Sequence, residues 1–147
     1  MQNTKNRILK FNIFFIKILF LFFVYTYVNA DSNTIQDGGT ETDQQNIDGD
    51  GEFLTVKSSS TLATGATTKA ANVTGDSVTV TVESGSTISA NTVAVFGDTT
   101  SDLTVTNTGT ITASGTTAID AKATTNATIT NNSGGTISSN RNTIRVS

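Results

Sequence analysis

Hydrophobic and polar positions follow two different patterns along the chain, one in the first 30 residues and one after residue 53. Residues 11–24 are predominantly apolar, whereas the later segment alternates Thr with Val, Ile or Leu. Alternation with a period of two is typical of half-buried β-strands. The pattern therefore predicts an apolar leader followed by an all-β domain.

The alternating segment contains an internal repeat. Residues 55–62 resemble residues 81–88 at an offset of 26, and residues 104–111 follow at an offset of 23. A fourth copy spans residues 128–137, with a turn two residues longer. Each copy continues through a Ser-, Ala-, Asn- or Gly-rich patch to a further apolar residue. The repeat predicts four coils of 23–26 residues, each with three short strands.

No single copy has enough apolar side chains to bury a core, so the copies must stack on one another. We therefore expect a right-handed parallel β-solenoid over residues 53–147, built around three inward-facing columns. The predicted columns are Val56, Val82, Val105 and Ile129; Leu62, Ile88, Ile111 and Ile137; and Val95, Ile119 and Ile144. The same alignment predicts outward rows of Thr55, Thr81, Thr104 and Thr128, and of Thr61, Thr87, Thr110 and Thr136. The alternative is a disordered Ser/Thr-rich secreted tail, which the regular recurrence of apolar residues disfavours.

The first 30 residues have the pattern of a cleaved secretory signal peptide. Lys5, Arg7 and Lys10 precede the apolar run, and the small residues Val28 and Ala30 precede Asp31. We expect cleavage after Ala30 and, as a partner, the export machinery of the inner membrane. An uncleaved anchor is the weaker interpretation, because Lys17 leaves an apolar stretch of only 11 residues, 18–28, where a span needs about 20.

Composition narrows the function classes. The chain contains no His and no Cys, which excludes Ser-His-Asp and Cys-His catalysis, thiolate or imidazole metal sites, disulfides and a lipidated cysteine. All 12 acidic residues follow residue 30, and seven of them lie in residues 31–52, where there is no base. We interpret residues 31–52 as an acidic linker or N-terminal cap region. So acidic a chain is not expected to bind nucleic acid.

One acidic segment imitates the start of a calcium-binding loop. Asn46, Asp48 and Asp50 fit the first three ligand positions and Gly51 fits the sharp turn. The closing bidentate acid should lie at residue 57, which is Lys57. We therefore expect a solvated segment, with no metal and no cofactor.

Two further candidates concern other classes of function. Asp98 and Asp102 share one turn and represent a possible pair of acid and base groups, although a solvated turn is the simpler interpretation. Thr-x-Thr sequences on a solenoid face suggest ice binding, for which the aligned pairs are Thr55/Lys57, Thr81/Glu83, Thr104/Thr106 and Thr128/Thr130. Lys57 and Glu83 interrupt half of that array, so the sequence gives ice binding less support.

Two copies of the repeat carry a resemblance to a known family. Residues 105–111 (VTNTGTI) and residues 129–137 (ITNNSGGTI) resemble the N-x-G-x-I coils of bacterial autotransporter passenger domains. The resemblance covers residues 53–147 and implies export across the inner membrane, passage through an outer-membrane barrel, and display or release at the cell surface.

The chain departs from the autotransporter pattern after Ile111. A translocator barrel needs amphipathic strands of about 10 residues each, and no such strands follow. We expect an N-terminal fragment of a longer product, a decayed gene, or a stand-alone solenoid that would stay in the periplasm. The predicted function is a non-enzymatic surface segment for adhesion or display, with an unknown ligand. The alternative is a truncated carbohydrate-active β-helix enzyme.

Overall fold

The computed structural model describes residues 33–65, 68–98 and 100–146, and these ranges form fifteen short β-strands. The strands are β1 (Asn33–Ile35), β2 (Thr40–Glu41), β3 (Gln45–Ile47), β4 (Phe53–Val56), β5 (Thr61–Ala63), β6 (Ala71–Val73), β7 (Thr79–Val82), β8 (Thr87–Ala90), β9 (Val93–Gly97), β10 (Thr104–Asn107), β11 (Thr110–Ala113), β12 (Thr117–Ala121), β13 (Thr128–Asn131), β14 (Thr136–Ser139) and β15 (Asn142–Val146). The predicted signal peptide, with its cleavage residues Val28, Ala30 and Asp31, lies outside the described residues.

The strands stack as a parallel β-solenoid with three sheets. The first sheet has the order β1-β4-β7-β10-β13, the second β14-β11-β8-β5-β2 and the third β15-β12-β9-β6-β3. Every strand therefore pairs with strands three elements away in the chain, as one coil lies on the next. This arrangement confirms the all-β solenoid prediction, and the described ranges are folded rather than a disordered tail.

Corner residues with positive φ end the strands. Ser59, Gly85 and Gly134 take this conformation between the first and second sheets, with φ of 60°, 76° and 88°. Gly51, Ser77, Asp102 and Asn126 take it between the third and first sheets. Glycine, asparagine and aspartate tolerate positive φ better than other residues do, which explains why Ser/Gly- and Asn/Gly-rich patches separate the strands.

Two of the three predicted columns are confirmed in the second and third sheets. Leu62, Ile88, Ile111 and Ile137 are successive partners across β5, β8, β11 and β14. Val95, Ile119 and Ile144 are successive partners across β9, β12 and β15. Leu62, Ile88, Ile111, Val95 and Ile119 are fully buried. The core is therefore built of columns, and in each of these two columns every coil stacks one apolar side chain on that of the next coil.

The first predicted column is wrong in its register between β7 and β10, which is shifted by two residues from the prediction. Val105 pairs with Val80, and Asn107, instead of Val105, pairs with Val82. The cause is the corner after β10, where two residues separate Asn107 from Thr110 while four separate Val82 from Thr87. The first sheet therefore carries two inward columns, Leu54, Val80, Val105 and Ile129, and Val56, Val82, Asn107 and Asn131.

The same shift corrects one of the two outward threonine rows. Thr106 and Thr130, rather than Thr104 and Thr128, continue the row of Thr55 and Thr81. Thr104 and Thr128 belong with Thr79 in a neighbouring row. The other predicted row, Thr61, Thr87, Thr110 and Thr136, is confirmed and begins one coil earlier, at Thr40.

The prediction of an acidic linker before the solenoid is wrong for residues 33–47. Strands β1, β2 and β3 pair in parallel with β4, β5 and β6 and so form an additional coil. Ile35 and Ile47 are buried in the core, with exposed fractions of 9% and 0%. The acidic side chains lie mainly at corners and outside the strands, so the coil tolerates their charge.

This first coil also covers the end of the core, as the cap interpretation requires. Asn33 pairs with Leu54, Glu41 with Leu62, and Gln45 with Ala71. The columns of Leu54, Leu62 and Ala71 therefore end on a polar residue in this coil, as expected of a capping repeat. The columns of Val56 and Val73 continue into it through the buried Ile35 and Ile47. At the other end, Ile129 and Ile137 are half-buried and Ile144 is 42% exposed, because β13–β15 have described strands on one side only.

Candidate functional site

The outer surface of the first sheet carries two adjacent rows that consist of threonine except for Phe53 in the fourth strand, and we call this surface the threonine face. One row is Thr34, Thr55, Thr81, Thr106 and Thr130, and the other is Phe53, Thr79, Thr104 and Thr128. Alternation along each strand turns these side chains outward while the valine and leucine between them face the core. Three successive coils therefore present aligned Thr-x-Thr pairs: Thr79/Thr81, Thr104/Thr106 and Thr128/Thr130.

The threonine face contains no charged side chain within its strands. Lys57 and Glu83, expected to interrupt the array, lie beyond the ends of β4 and β7 at the corner. There the Nζ of Lys57 donates a 3.0 Å hydrogen bond to Oε1 of Glu83. Along the face, hydroxyl groups repeat about 4.8 Å apart between coils and roughly 6.6 Å apart within a strand.

The second sheet has one comparable row and one mixed row. Thr40, Thr61, Thr87, Thr110 and Thr136 are aligned, but the neighbouring row consists of Ala63, Ser89, Thr112 and Ser138. In that mixed row, the Oγ of Ser138 donates to Oγ1 of Thr112 at 3.2 Å. The second face is therefore less uniform than the threonine face.

The third sheet presents charged, amide and aromatic side chains instead. Arg145 donates to Oδ2 of Asp120 at 3.0 Å, and the Nζ of Lys69 lies 3.4 Å from the ring centroid of Phe96. Asn72 donates to Oδ1 of Asn46 across adjacent coils at 3.2 Å. Phe96 and Asp120 are register partners, so this face offers mixed chemistry without a repeat.

Two carboxylates at corners are held in their ionised form. Lys57 hydrogen bonds to Glu83, and the Ser58 backbone and hydroxyl add further bonds, which together lower the pKa of Glu83 below its ordinary value. The backbone N–H of Ser101 donates to Oδ1 of Asp76 at 2.7 Å and, with the Ser101 hydroxyl, lowers the pKa of Asp76. Both groups link one coil to a neighbouring coil.

The residues that resemble a calcium loop do not converge on one point, and several of them bond instead to the next coil. Asn46 lies in β3 and accepts from Gln44 and Asn72. Asp50 accepts the backbone N–H of Asp76 at 3.0 Å. Lys57 is bound to Glu83 in the next coil. Within the described ranges, no group of three or more His, Cys, Asp or Glu side chains is arranged to hold a metal ion.

The backbones of Asp98 and Asp102 are hydrogen bonded to different neighbouring coils. The N–H of Asp98 donates to the carbonyl of Val73, whereas that of Asp102 donates to Thr125. The carboxylate of Asp102 accepts from Nδ2 of Asn126 at 3.2 Å, and Asp102 itself has a φ of 56°. These bonds hold Asp102 in a corner stack with the following coil.

Two shallow depressions mark the ends of strands. One, of about 270 Å³, lies at the first coil beside Asn33, Ile35, Glu41 and Gln45. The other, of about 370 Å³, lies along the second sheet beside Thr64, Ser89, Asn91 and Ser114. Polar groups predominate in the lining of the first depression, whereas the second has slightly more apolar than polar lining surface. Among the residues that the structure describes, no helix is long and apolar enough to cross a membrane.

Sequence reasoning missed the amide that replaces valine in the core. Asn107 is fully buried, and its Nδ2 donates to Oδ1 of Asn131 at 2.8 Å and to the Thr136 carbonyl at 3.1 Å. Its Oδ1 accepts the N–H of Gly109, where a Cβ would lie 2.4 Å from the carbonyl oxygens of Glu83 and Ser86. The N-x-G spacing was the available signal, because asparagine beside glycine favours a tight corner.

Comparisons with protein-family models, with curated proteins and with solved structures returned no match.

Proposed function

We propose that this chain is an exported, non-enzymatic β-solenoid segment of the autotransporter passenger type, serving adhesion or display at the cell surface. The observation that carries the proposal is the combination of a signal-peptide pattern in residues 1–30 with a stacked parallel solenoid. A solenoid gives a long surface with little core per coil, which suits presentation of outward side chains.

Export is tested by expressing the complete chain with a C-terminal tag in a Gram-negative host. The expected product begins at Asp31 by intact mass and is found outside the cytoplasm. Ala30→Lys should leave the leader attached, because the small residue at the cleavage position is lost. Ser32→Lys, two residues beyond, serves as the control. A wild-type product that retains Met1 in the cytoplasm would contradict the proposal.

Adhesion is tested separately with the purified exported chain. The chain is coated on beads, and its retention on cell layers and on immobilised glycans is compared with that of uncoated beads. Retention that competes with soluble chain supports an adhesive role. Export without retention on any of these surfaces would favour display over adhesion.

The alternative of a truncated carbohydrate-active enzyme rests on Asp98 and Asp102. Its test is release of reducing ends from acidic polysaccharides by the purified chain. Turnover that disappears in both Asp98→Asn and Asp102→Asn would overturn the non-enzymatic proposal.

A further inference from the structure

From the geometry of the threonine face we infer a further function that does not depend on adhesion: binding to the surface of ice. The face has a repeat in two directions, because the coils stack in register and the threonines alternate along each strand. A ligand that uses every position must itself repeat in two directions. Crystalline water does so, whereas a single polysaccharide chain repeats along one direction only.

The chemistry of the face fits water as the ligand. Each threonine presents one hydroxyl, which can donate and accept, beside one methyl group. The strands of the face contribute no charged side chain, so an ionic ligand would find no partner there. Alternation along β7 and β10 turns Thr79, Thr81, Thr104 and Thr106 outward, and each of these residues is partly exposed to solvent.

The array is also preorganised. The β-branched threonine side chain has restricted χ1 freedom. The strands β7 and β10 are each hydrogen bonded to a neighbouring strand on both sides, which fixes their backbones. Ordered water can therefore assemble on the face with little further loss of side-chain entropy. Lys57 and Glu83 pair with each other at the corner and leave the face itself neutral.

The test measures thermal hysteresis and ice-crystal shape with the purified full chain, using Thr81→Lys/Thr106→Lys as the disrupted variant. These two residues are register partners at the middle of the face. The matched control is Thr87→Lys/Thr110→Lys, a register pair on the second sheet. Circular dichroism and urea unfolding establish that each variant is folded, and the single variants Thr106→Lys and Thr110→Lys replace any double variant that is not.

We expect the unmodified chain to shape ice crystals and separate the freezing from the melting temperature. The variant on the threonine face should lose this separation, and the control should keep it. The inference is overturned if the unmodified chain shows no more thermal hysteresis and no more ice shaping than a non-binding protein at equal concentration. Equal loss in both variants, or binding to an insoluble neutral glucan without any effect on ice, overturns it as well.

Discussion

The Nδ2 of Asn107 donates a 2.8 Å hydrogen bond to Oδ1 of Asn131 in the following coil. Both amides occupy the inward column that Val56 and Val82 fill in earlier coils. The column thus changes from apolar packing to hydrogen bonding at the point where the corner loses two residues. Asn107 stabilises the shortened corner through Gly109 and joins it to the next coil through Asn131.

Asn107→Ala should destabilise the solenoid by about 1–3 kcal/mol, because the buried N–H and carbonyl of Gly109 lose their partner and the hydrogen bonds to Asn131 and Thr136 are removed. The free energy of unfolding in urea, followed by circular dichroism, measures this loss. Asn132→Ala is the control, since Asn132 is exposed. Equal stability of the two variants would show that the amide contributes nothing to the core.

Ile111→Asp should unfold the solenoid, whereas Thr110→Asp should leave it folded. Ile111 is fully buried between Ile88 and Ile137, and its burial stabilises by roughly 1.5–3 kcal/mol. An unpaired carboxylate in that column adds the cost of burying a charge. Circular dichroism and limited proteolysis compare the two proteins. Equal tolerance of aspartate at both positions would contradict the existence of the column.

The two-residue shift in the first sheet can be tested by cross-linking, because the chain has no native cysteine. Thr81→Cys/Thr106→Cys places cysteines on register partners, about 4.8 Å apart at Cα, which is within disulfide range. Mild oxidation should close this pair efficiently. Thr81→Cys/Thr104→Cys, which follows the sequence alignment, should close poorly. Mass spectrometry of digests prepared without reduction distinguishes the two disulfides. Preferential closure of the second pair would support the register predicted from the sequence repeat, in which Thr104 lies beside Thr81.

Ile47→Ala tests whether the acidic segment is part of the solenoid. Ile47 is fully buried and pairs with Val73, so its truncation should cost about 2–5 kcal/mol. A residue in a solvated linker would show almost no effect. Gln36→Ala, at an exposed position of the same coil, is the control. The free energy of unfolding in urea is compared between the two variants. If Ile47→Ala is as stable as the unmodified chain, residues 33–47 behave as a linker and not as a coil.

Stability should fall in acid through Glu83 and Asp76. Both have a folded pKa below the ordinary values of 4.5 and 3.8, so their contribution is complete above those values. It is lost as the pH falls below them, because protonation removes the bonds from Lys57 and Ser101. Urea midpoints between about pH 7 and pH 3 should decline less in Glu83→Gln/Asp76→Asn than in the unmodified chain. Asp37→Asn controls for the loss of a surface charge, and an unchanged decline in the double variant would contradict this mechanism.

The sequence by itself determined the fold class and the inward-facing apolar residues of the repeated strands. Alternation fixes the face of each residue, because a shift of one position would exchange the core and solvent sides of a strand. This is why Ile111, Ile88 and Val95 could be placed in the core from the repeat alone. The apolar residues of 33–47 were too sparse to give such a signal, because β1, β2 and β3 have only two or three residues each.

Only the tertiary structure decided the register of the first sheet. A shift of two residues keeps every face unchanged, so Thr81 pairs equally well by pattern with Thr104 or with Thr106. The corner at Gly109 breaks that degeneracy, since its backbone lies against Glu83 and Ser86 where no side chain fits. The same register aligns the pairs Thr79/Thr81, Thr104/Thr106 and Thr128/Thr130 on one neutral face. This alignment depends on how neighbouring coils pair, so the sequence of a single strand cannot specify it.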